Sequence, residues 1–177
     1  MASIVDTVLQ HLGDNEIRQI SQHIGADEGT TQSAISAALP MMLGGMADRA
    51  SQPGGAEEID QAAQSHGGIL GNLSGLFGAA PLADRGSGLL GQVLGGKQEP
   101  VQQAVSQSSG LDAGQTKRLL LLLAPVVLGV LAHKKREEQL NATQLSSTLQ
   151  DAKQSARQQA SRQSPGLGGL LGDIFGG

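Results

Sequence analysis

The sequence lacks cysteine, tryptophan and tyrosine, and it has only two phenylalanines in 177 residues. Without cysteine the chain can form no disulfide, no thiolate metal site and no cysteine nucleophile. Two aromatic rings are too few for the stacking platforms on which single-stranded nucleic acids usually bind. The formal net charge of −4 gives no general attraction to phosphate backbones. These absences exclude cysteine chemistry and disfavour nucleic-acid binding.

The residues that could carry other chemistry form no catalytic pattern. The histidines show no metal-ligand spacing, and three clustered carboxylates are typical of the solvated face of a short polar helix. These residues are His11, His23, His66, His133, Glu57, Glu58 and Asp60. GSGLLG at 86–91 and GQVLGGKQ at 91–98, which contains Lys97, resemble nucleotide-binding loops, but neither follows a predicted strand. We therefore predict no catalytic, cofactor-binding or metal-binding residues, no small-molecule substrate and no enzymatic activity.

An internal repeat divides the chain. An offset of 85 residues aligns 20–47 with 105–132 without a gap, and ten of the 28 positions are identical. The identical pairs include Gly25 with Gly110, Asp27 with Asp112, Pro40 with Pro125, and Gly44 with Gly129. Self-similarity of this kind indicates two copies of one supersecondary unit.

Both copies predict the same succession of helices. A short amphipathic helix should end at Gly25 or Gly110 in the left-handed conformation, and an aspartate two residues later should cap a longer helix. A proline inside the longer helix should kink or break it, because proline removes a backbone donor. A third, short helix follows each copy, so we expect three helices in each. Before the first copy, Ser3 and Asp6 indicate a capping box for another helix that ends before Gly13.

The most apolar stretch runs from Leu119 to Ala132 and is either a membrane segment or a core helix. Its 14 residues would span about 21 Å as a helix, against a hydrocarbon core of about 30 Å. Its repeat partner at 34–47 is much less apolar, and basic residues flank 119–132 on both sides. We therefore predict a core helix, or a subunit contact through which a homo-oligomer forms. Membrane association through this stretch is the less expected alternative.

Glycine separates the two copies and recurs at the C-terminus. We predict a first helical repeat at 1–66, a Gly/Leu-rich linker at 67–98, a second repeat at 99–150, and a polar, then Gly/Leu-rich tail at 151–177. GLLGQVLGG at 88–96 is echoed by GLLGDIFGG at 169–177 and, more weakly, by GILGNLSG from Gly68. These strings are either flexible connections or adhesive motifs that dock into a groove of their own or a neighbouring copy. The cost of glycine in helices, about 1 kcal/mol each, favours flexible connections.

Two other functions stay open as alternatives. The first repeat has the rhythm of a helix-turn-helix, in which Thr30, Gln32 and Ser33 would face a DNA groove. Its second helix lacks arginine and lysine near its start, however, where Asp27 and Glu28 are expected to repel phosphates. The remaining alternative is peripheral membrane binding through the Gly-Leu motifs.

IGADEGTTQSAISAALPMMLGG at 24–45, followed by SGLDAGQTKRLLLLLAPVVLGVLAHKK at 109–135, resembles the YidB-like family of bacterial proteins (DUF937), a domain of unknown function. The resemblance covers about residues 1–150 and implies an all-α fold with homeodomain-like packing, without assigning catalytic or ligand-binding residues. We therefore predict two tandem three-helix, homeodomain-like units that form a helical bundle. Because no basic segment precedes Asp6, we expect no secretory signal and a cytoplasmic location. The predicted function is a non-catalytic interaction or self-assembling module.

Overall fold

The computed structural model describes residues 3–78, 82–163, 169 and 173–174. Within these residues the regular structure is entirely helical, which confirms the all-α prediction. Short 3-10 turns precede α5 and α7, at Ile69–Asn72 and Gly95–Lys97. The helices are α1 (Ile4–His11), α2 (Asp14–Ile24), α3 (Glu28–Ala50), α4 (Gly55–Ser65), α5 (Leu73–Gly78), α6 (Leu82–Leu94), α7 (Gln98–Ser109), α8 (Ala113–Glu138) and α9 (Ala142–Gln163).

Local signals in the sequence place five helix ends correctly, the starts of α1, α3 and α8 and the ends of α2 and α7. Ser3 and Asp6 form the predicted capping box at the start of α1. Gly25 and Gly110 adopt the left-handed conformation, with φ of 74° and 79°, and end α2 and α7. Asp27 and Asp112 cap α3 and α8, each through a side-chain oxygen that accepts a backbone N–H three residues later.

The two central helices are longer than predicted. Pro40 and Pro125 lie inside α3 and α8, which continue through them for 23 and 26 residues. The expectation of a break at these prolines is therefore wrong, whereas the expectation of a kink stays a prediction. At 26 residues α8 is about 39 Å long, so the argument that it is too short to span a membrane is wrong as well. In the structure 83% of its most apolar 18-residue window is buried inside the protein, as expected for a core helix.

Helices from the two halves of the chain interlock. The long helix of the first copy, α3, packs most extensively against α9 and α7 of the second copy. The long helix of the second copy, α8, packs most extensively against α6 and α4, and also against α7 and α2. One continuous hydrophobic core therefore runs through both copies. The predicted arrangement as tandem homeodomain-like units is not confirmed in this interlocked packing.

The segment predicted as a flexible linker, 67–98, is helical and packed where the structure describes it. Leu73 and Phe77 of α5 are buried, as are Leu90, Val93 and Leu94 of α6. For these residues the flexible-connection interpretation is wrong, because their apolar side chains complete the core around α3 and α8. Helix α9 continues beyond the predicted repeat end at 150, to Gln163. Most of the predicted Gly/Leu-rich tail lies outside the described residues.

Candidate functional site

The turns that precede the two long helices contact each other. In the second copy Asp112 and Gln115 form a capping box, with Asp112 Oδ1 accepting from the Gln115 backbone at 2.7 Å. The same Gln115 side chain donates from Nε2 to the carbonyl oxygen of Gly25 at 2.9 Å. One glutamine therefore caps α8 and also holds the turn between α2 and α3.

The corresponding cap in the first copy faces solvent. Asp27 accepts two hydrogen bonds from Thr30, one from the backbone N–H at 2.8 Å and one from the hydroxyl at 2.7 Å. These bonds, the backbone one first, hold the pKa of the Asp27 carboxyl below its ordinary value. Thr30 is thus committed to the cap instead of facing outward as the helix-turn-helix alternative requires.

Other side chains of that alternative are exposed, and two carboxylates, Asp27 and Glu28, lie at the start of the same helix. Gln32 and Ser33 lie on the solvent side of α3, as predicted. Arg18 of α2 pairs with Glu28 through a 3.0 Å contact between Nε and Oε1. In the second copy, Lys117 and Arg118 are exposed at the matching positions. The first-copy surface therefore presents Asp27 and an already paired arginine where a phosphate would have to bind.

The histidines bond to nearby groups, and among the described residues they join no cluster of three potential metal ligands. His11 Nδ1 lies 2.9 Å from the Thr7 carbonyl oxygen, and its ring meets that of His133 edge-on at 6.2 Å. His133 Nε2 is 3.2 Å from a Glu137 carboxylate oxygen. The other two contact backbone oxygens, those of Phe77 for His23 and Ala62 for His66.

The carboxylates of α4 are only partly the solvated face that the sequence suggested. Glu57 is exposed, and Glu58 pairs with Arg49 at 2.5 Å. Asp60 is mostly buried and pairs with Lys135 of α8. This ion pair joins the third helix of the first copy to the long helix of the second. For Asp60 the prediction of a solvated position is therefore wrong.

The strings that resemble nucleotide-binding loops lie in or beside α6. Residues 86–91 are helical, and 91–98 run from α6 through a 3-10 turn into α7. Lys97 Nζ donates to Asp48 Oδ2 at 3.1 Å and to the Ile174 carbonyl oxygen at 2.7 Å. The lysine therefore binds a carboxylate and the C-terminal segment in place of a phosphate.

Asp48 is the centre of the most widely connected polar group that we find in the described residues. Its second oxygen, Oδ1, accepts from Lys153 of α9 at 2.5 Å. The side chains of Lys153 and Asp48 are 14% and 26% exposed, so water screens the pair less than an exposed pair. We name Asp48, Lys97 and Lys153 the Asp48 cluster. It ties α3, the end of the Gly/Leu-rich region, α9 and the C-terminal segment together.

Glycines on α3 and α8 admit leucines from the Gly/Leu-rich segments. A Cβ atom on Gly45 of α3 would lie 2.6 Å from Leu94 Cδ2. A Cβ atom on Gly129 of α8 would lie 3.3 Å from Leu70 Cγ and 3.3 Å from the His66 carbonyl oxygen. Each long helix therefore has a glycine whose missing side chain leaves space that a leucine of a Gly-Leu string fills.

Sequence reasoning missed both the Asp48 cluster and these leucine positions. Asp48 lies 49 residues from Lys97 and 105 residues from Lys153 in the chain, so no spacing pattern connects them. The recurrence of the Gly-Leu strings was the one available signal. It supported the adhesive interpretation that the sequence analysis ranked second.

The model of a family described as a bacterial protein of unknown function, DUF937, matches residues 6–134. No curated protein and no solved structure matches the chain.

Proposed function

The chain belongs to the DUF937 family of bacterial proteins of unknown function, and from this premise we propose that it is a non-catalytic helical module that binds further copies of itself. The observation that carries the proposal is the reciprocal packing of the repeats, in which α3 and α8 each accept helices of the other copy. A surface that already accepts segments of a homologous unit is suited to accept the same segments from another chain.

The finer architecture belongs to the same proposal. We regard α2, α3 and α4 as one three-helix, homeodomain-like unit and α7, α8 and α9 as the other, with their outer helices exchanged. The repeat alignment, the shared caps and the corresponding partners of α3 and α8 support this assignment. Neither unit would cover its own long helix if it were separated from the other.

The proposed contact between copies is not the one that the sequence suggested. The residues from Leu119 to Ala132 are covered by the chain itself, and Leu121, the most exposed of its leucine, valine and alanine residues, is 6% exposed. An interface through this stretch would require the core to open. Self-association must therefore use segments at the periphery of the fold. The burial of α8 also supports a cytoplasmic location, which stays part of the proposal.

Size-exclusion chromatography with multi-angle light scattering tests the proposal. We expect the full chain, without detergent, to form a discrete oligomer whose population rises with protein concentration. The Leu121→Glu variant should lose helical structure by circular dichroism instead of giving folded monomers, because Leu121 lies in the core. A full chain that stays monomeric at every concentration would contradict self-association. A folded, monomeric Leu121→Glu variant would restore the contact through α8.

A further inference from the structure

Helix α9 packs against the first half of the chain instead of the helix that precedes it. Its main neighbours are α3 and α4, and among the described residues it has little contact with α8. Its counterpart in the first repeat, α4, packs against both long helices. Helix α9 is therefore attached to its own repeat mainly through the connection at 139–141.

The polar contacts of α9 with α3 define where the helix lies. Gln150 Nε2 donates to the Ala47 carbonyl oxygen at 2.9 Å and to Ser51 Oγ at 2.5 Å. One turn further along α9, Lys153 pairs with Asp48. Two turns of α9 are thus bound to the last turns of α3 by residues about 100 positions apart in the chain.

The apolar contact of α9 is narrow. Among its described side chains, Leu145, Leu149 and Ala156 are buried, and the others are exposed or half-exposed. Serine and glutamine make up much of the remaining sequence. Because it buries only this stripe, α9 should separate from its neighbours more readily than α3 or α8, which are buried on nearly all sides along their central turns.

The connection between α8 and α9 contains a backbone conformation that favours opening. Gln139 has a φ of 51° and is the only non-glycine residue with a positive φ among the described residues. The left-handed conformation is unfavourable for a residue that carries a Cβ atom. Gln139 is exposed, so no buried contact of its side chain offsets this strain. If 139–141 became helical, α8 and α9 would form one continuous helix and the strain would disappear.

The region that matches the family model ends before α9. The match covers residues 6–134, which include all of α3 and most of α8. The surface that receives α9 therefore lies in the matched region, whereas the helix that covers it does not.

We propose that α9 is an exchangeable helix: in the oligomer, α9 of one chain packs against α3 of a second chain, at the position that the second chain's own α9 otherwise occupies. The inference rests on the proposed self-association, and it identifies the surface and the partner, a second copy of this chain. A continuous α8–α9 helix would carry α9 away from its own α3. If both chains exchange α9, each α3 is covered again and the contacts of the single chain are kept.

Crosslinking between two cysteine variants tests the exchange. The chain has no cysteine, so Ser51→Cys in one chain and Gln150→Cys in another give each chain a single thiol. The two variants are unfolded together in urea, refolded at high protein concentration and treated with a short bismaleimide crosslinker. We expect a covalent dimer that contains one chain of each kind by mass spectrometry, because these side chains meet in the α3–α9 packing.

Two controls accompany the mixture. Ser155→Cys replaces Gln150→Cys in the first, because Ser155 is an exposed residue of α9 on a different side from Gln150, and it should give little mixed dimer. In the second, a single chain with both Ser51→Cys and Gln150→Cys should crosslink within itself at low concentration. Mixed dimer that does not exceed the Ser155→Cys control would overturn the exchange. A double variant that does not crosslink would contradict the α3–α9 contact and the exchange with it.

Substitutions at the connection change the exchange without altering the core. Gln139→Gly should favour the closed turn, because glycine adopts a positive φ without strain and is unfavourable in a continuous helix. Gln139→Ala keeps the strain of the turn and favours the helix. The Kd of the dimer, from light scattering at several concentrations, should be about tenfold or more higher for Gln139→Gly than for Gln139→Ala, since each dimer contains two such connections. Equal values would overturn opening at this residue.

Self-association and helix exchange can fail separately. An oligomer by light scattering together with mixed covalent dimers supports both. If the chain is an oligomer but the mixed variants give no crosslink above the Ser155→Cys control, self-association stands and the exchange falls. If the chain is monomeric at every concentration and no mixed dimer forms, both fall.

Discussion

The long helices of the two repeats, α3 and α8, differ strongly in composition but little in burial. Between 34 and 47, α3 is built mainly from alanine, methionine and glycine, whereas leucine and valine dominate 119–132 of α8. Nearly every residue of both stretches is buried, and the exposed Ser36 of α3 is the exception. Position in the fold, more than the hydropathy of the segment, therefore decides what is buried.

The difference in side-chain size has a structural use. Small residues on α3 let neighbouring elements approach its backbone, as Leu94 does at Gly45, and α9 packs along the same helix. Large residues on α8 fill the space between α2, α4 and α6. A hydropathy comparison alone would identify α8 as the special element. The packing assigns the two helices equivalent central roles.

Alanine substitution at one pair of equivalent positions gives the largest expected effect and tests this equivalence. Ile35 of α3 and Leu120 of α8 occupy corresponding repeat positions, and both are fully buried. Ile35→Ala and Leu120→Ala should each lower the free energy of unfolding by about 2–5 kcal/mol, because both leave a cavity. Urea denaturation followed by circular dichroism measures the change. If Ile35→Ala lowered the free energy of unfolding no more than a typical surface substitution does, α8 alone would form the essential core.

A smaller effect should distinguish the glycine positions of the two helices. In Gly45→Ala the new methyl group would clash with the buried Leu94, so we expect a net loss of about 1 kcal/mol, since overpacking outweighs the gain in helix propensity. In Gly129→Ala the half-exposed Leu70 can shift, but the His66 backbone carbonyl oxygen, also 3.3 Å from the new methyl group, is less free to move, so we expect a loss smaller than that of Gly45→Ala. Thermal unfolding of the two variants provides the comparison. A larger loss at Gly129 would contradict the closer packing at α3.

The smallest effect concerns the exposed cap of α3. A lowered carboxyl pKa in the folded state stabilises folding above the unfolded value of about 3.9, and this contribution disappears as the pH falls through the folded pKa. In Thr30→Val the pKa of Asp27 should rise toward its ordinary value but stay below it, because the larger cause, the backbone N–H, remains. NMR titration of the Asp27 carboxyl measures the shift.

The neighbouring threonine is the control for this titration. Within the described residues the buried hydroxyl of Thr31 has no hydrogen-bond partner, so Thr31→Val should leave the pKa of Asp27 unchanged. An equal rise in both variants would mean that a general change at the helix start, and not the Thr30 hydroxyl, affects the carboxyl.

For the site, as for the fold, the sequence predicted the features that depend on neighbouring residues and missed those that depend on residues far apart in the chain. The caps at Asp27 and Asp112 and the glycines at 25 and 110 were predictable, because each acts on backbone groups a few residues away. The path of the helices through Pro40 and Pro125 was not, because the surrounding core decides whether a helix continues past a proline. The Asp48 cluster was out of reach because its members come from three distant parts of the chain.

The sequence by itself determined the all-helical class, the internal similarity of 20–47 and 105–132, the helix ends at the predicted caps and glycines, and membership of the family, since these depend on local backbone chemistry and on residue identity. Only the tertiary structure decided that helices from the two halves of the chain interlock, that α8 is covered within one chain, and that the Gly-Leu strings pack where they are described. Which apolar faces meet depends on the shape and size of surfaces far apart in the chain. Such complementarity leaves no periodic trace in either segment alone.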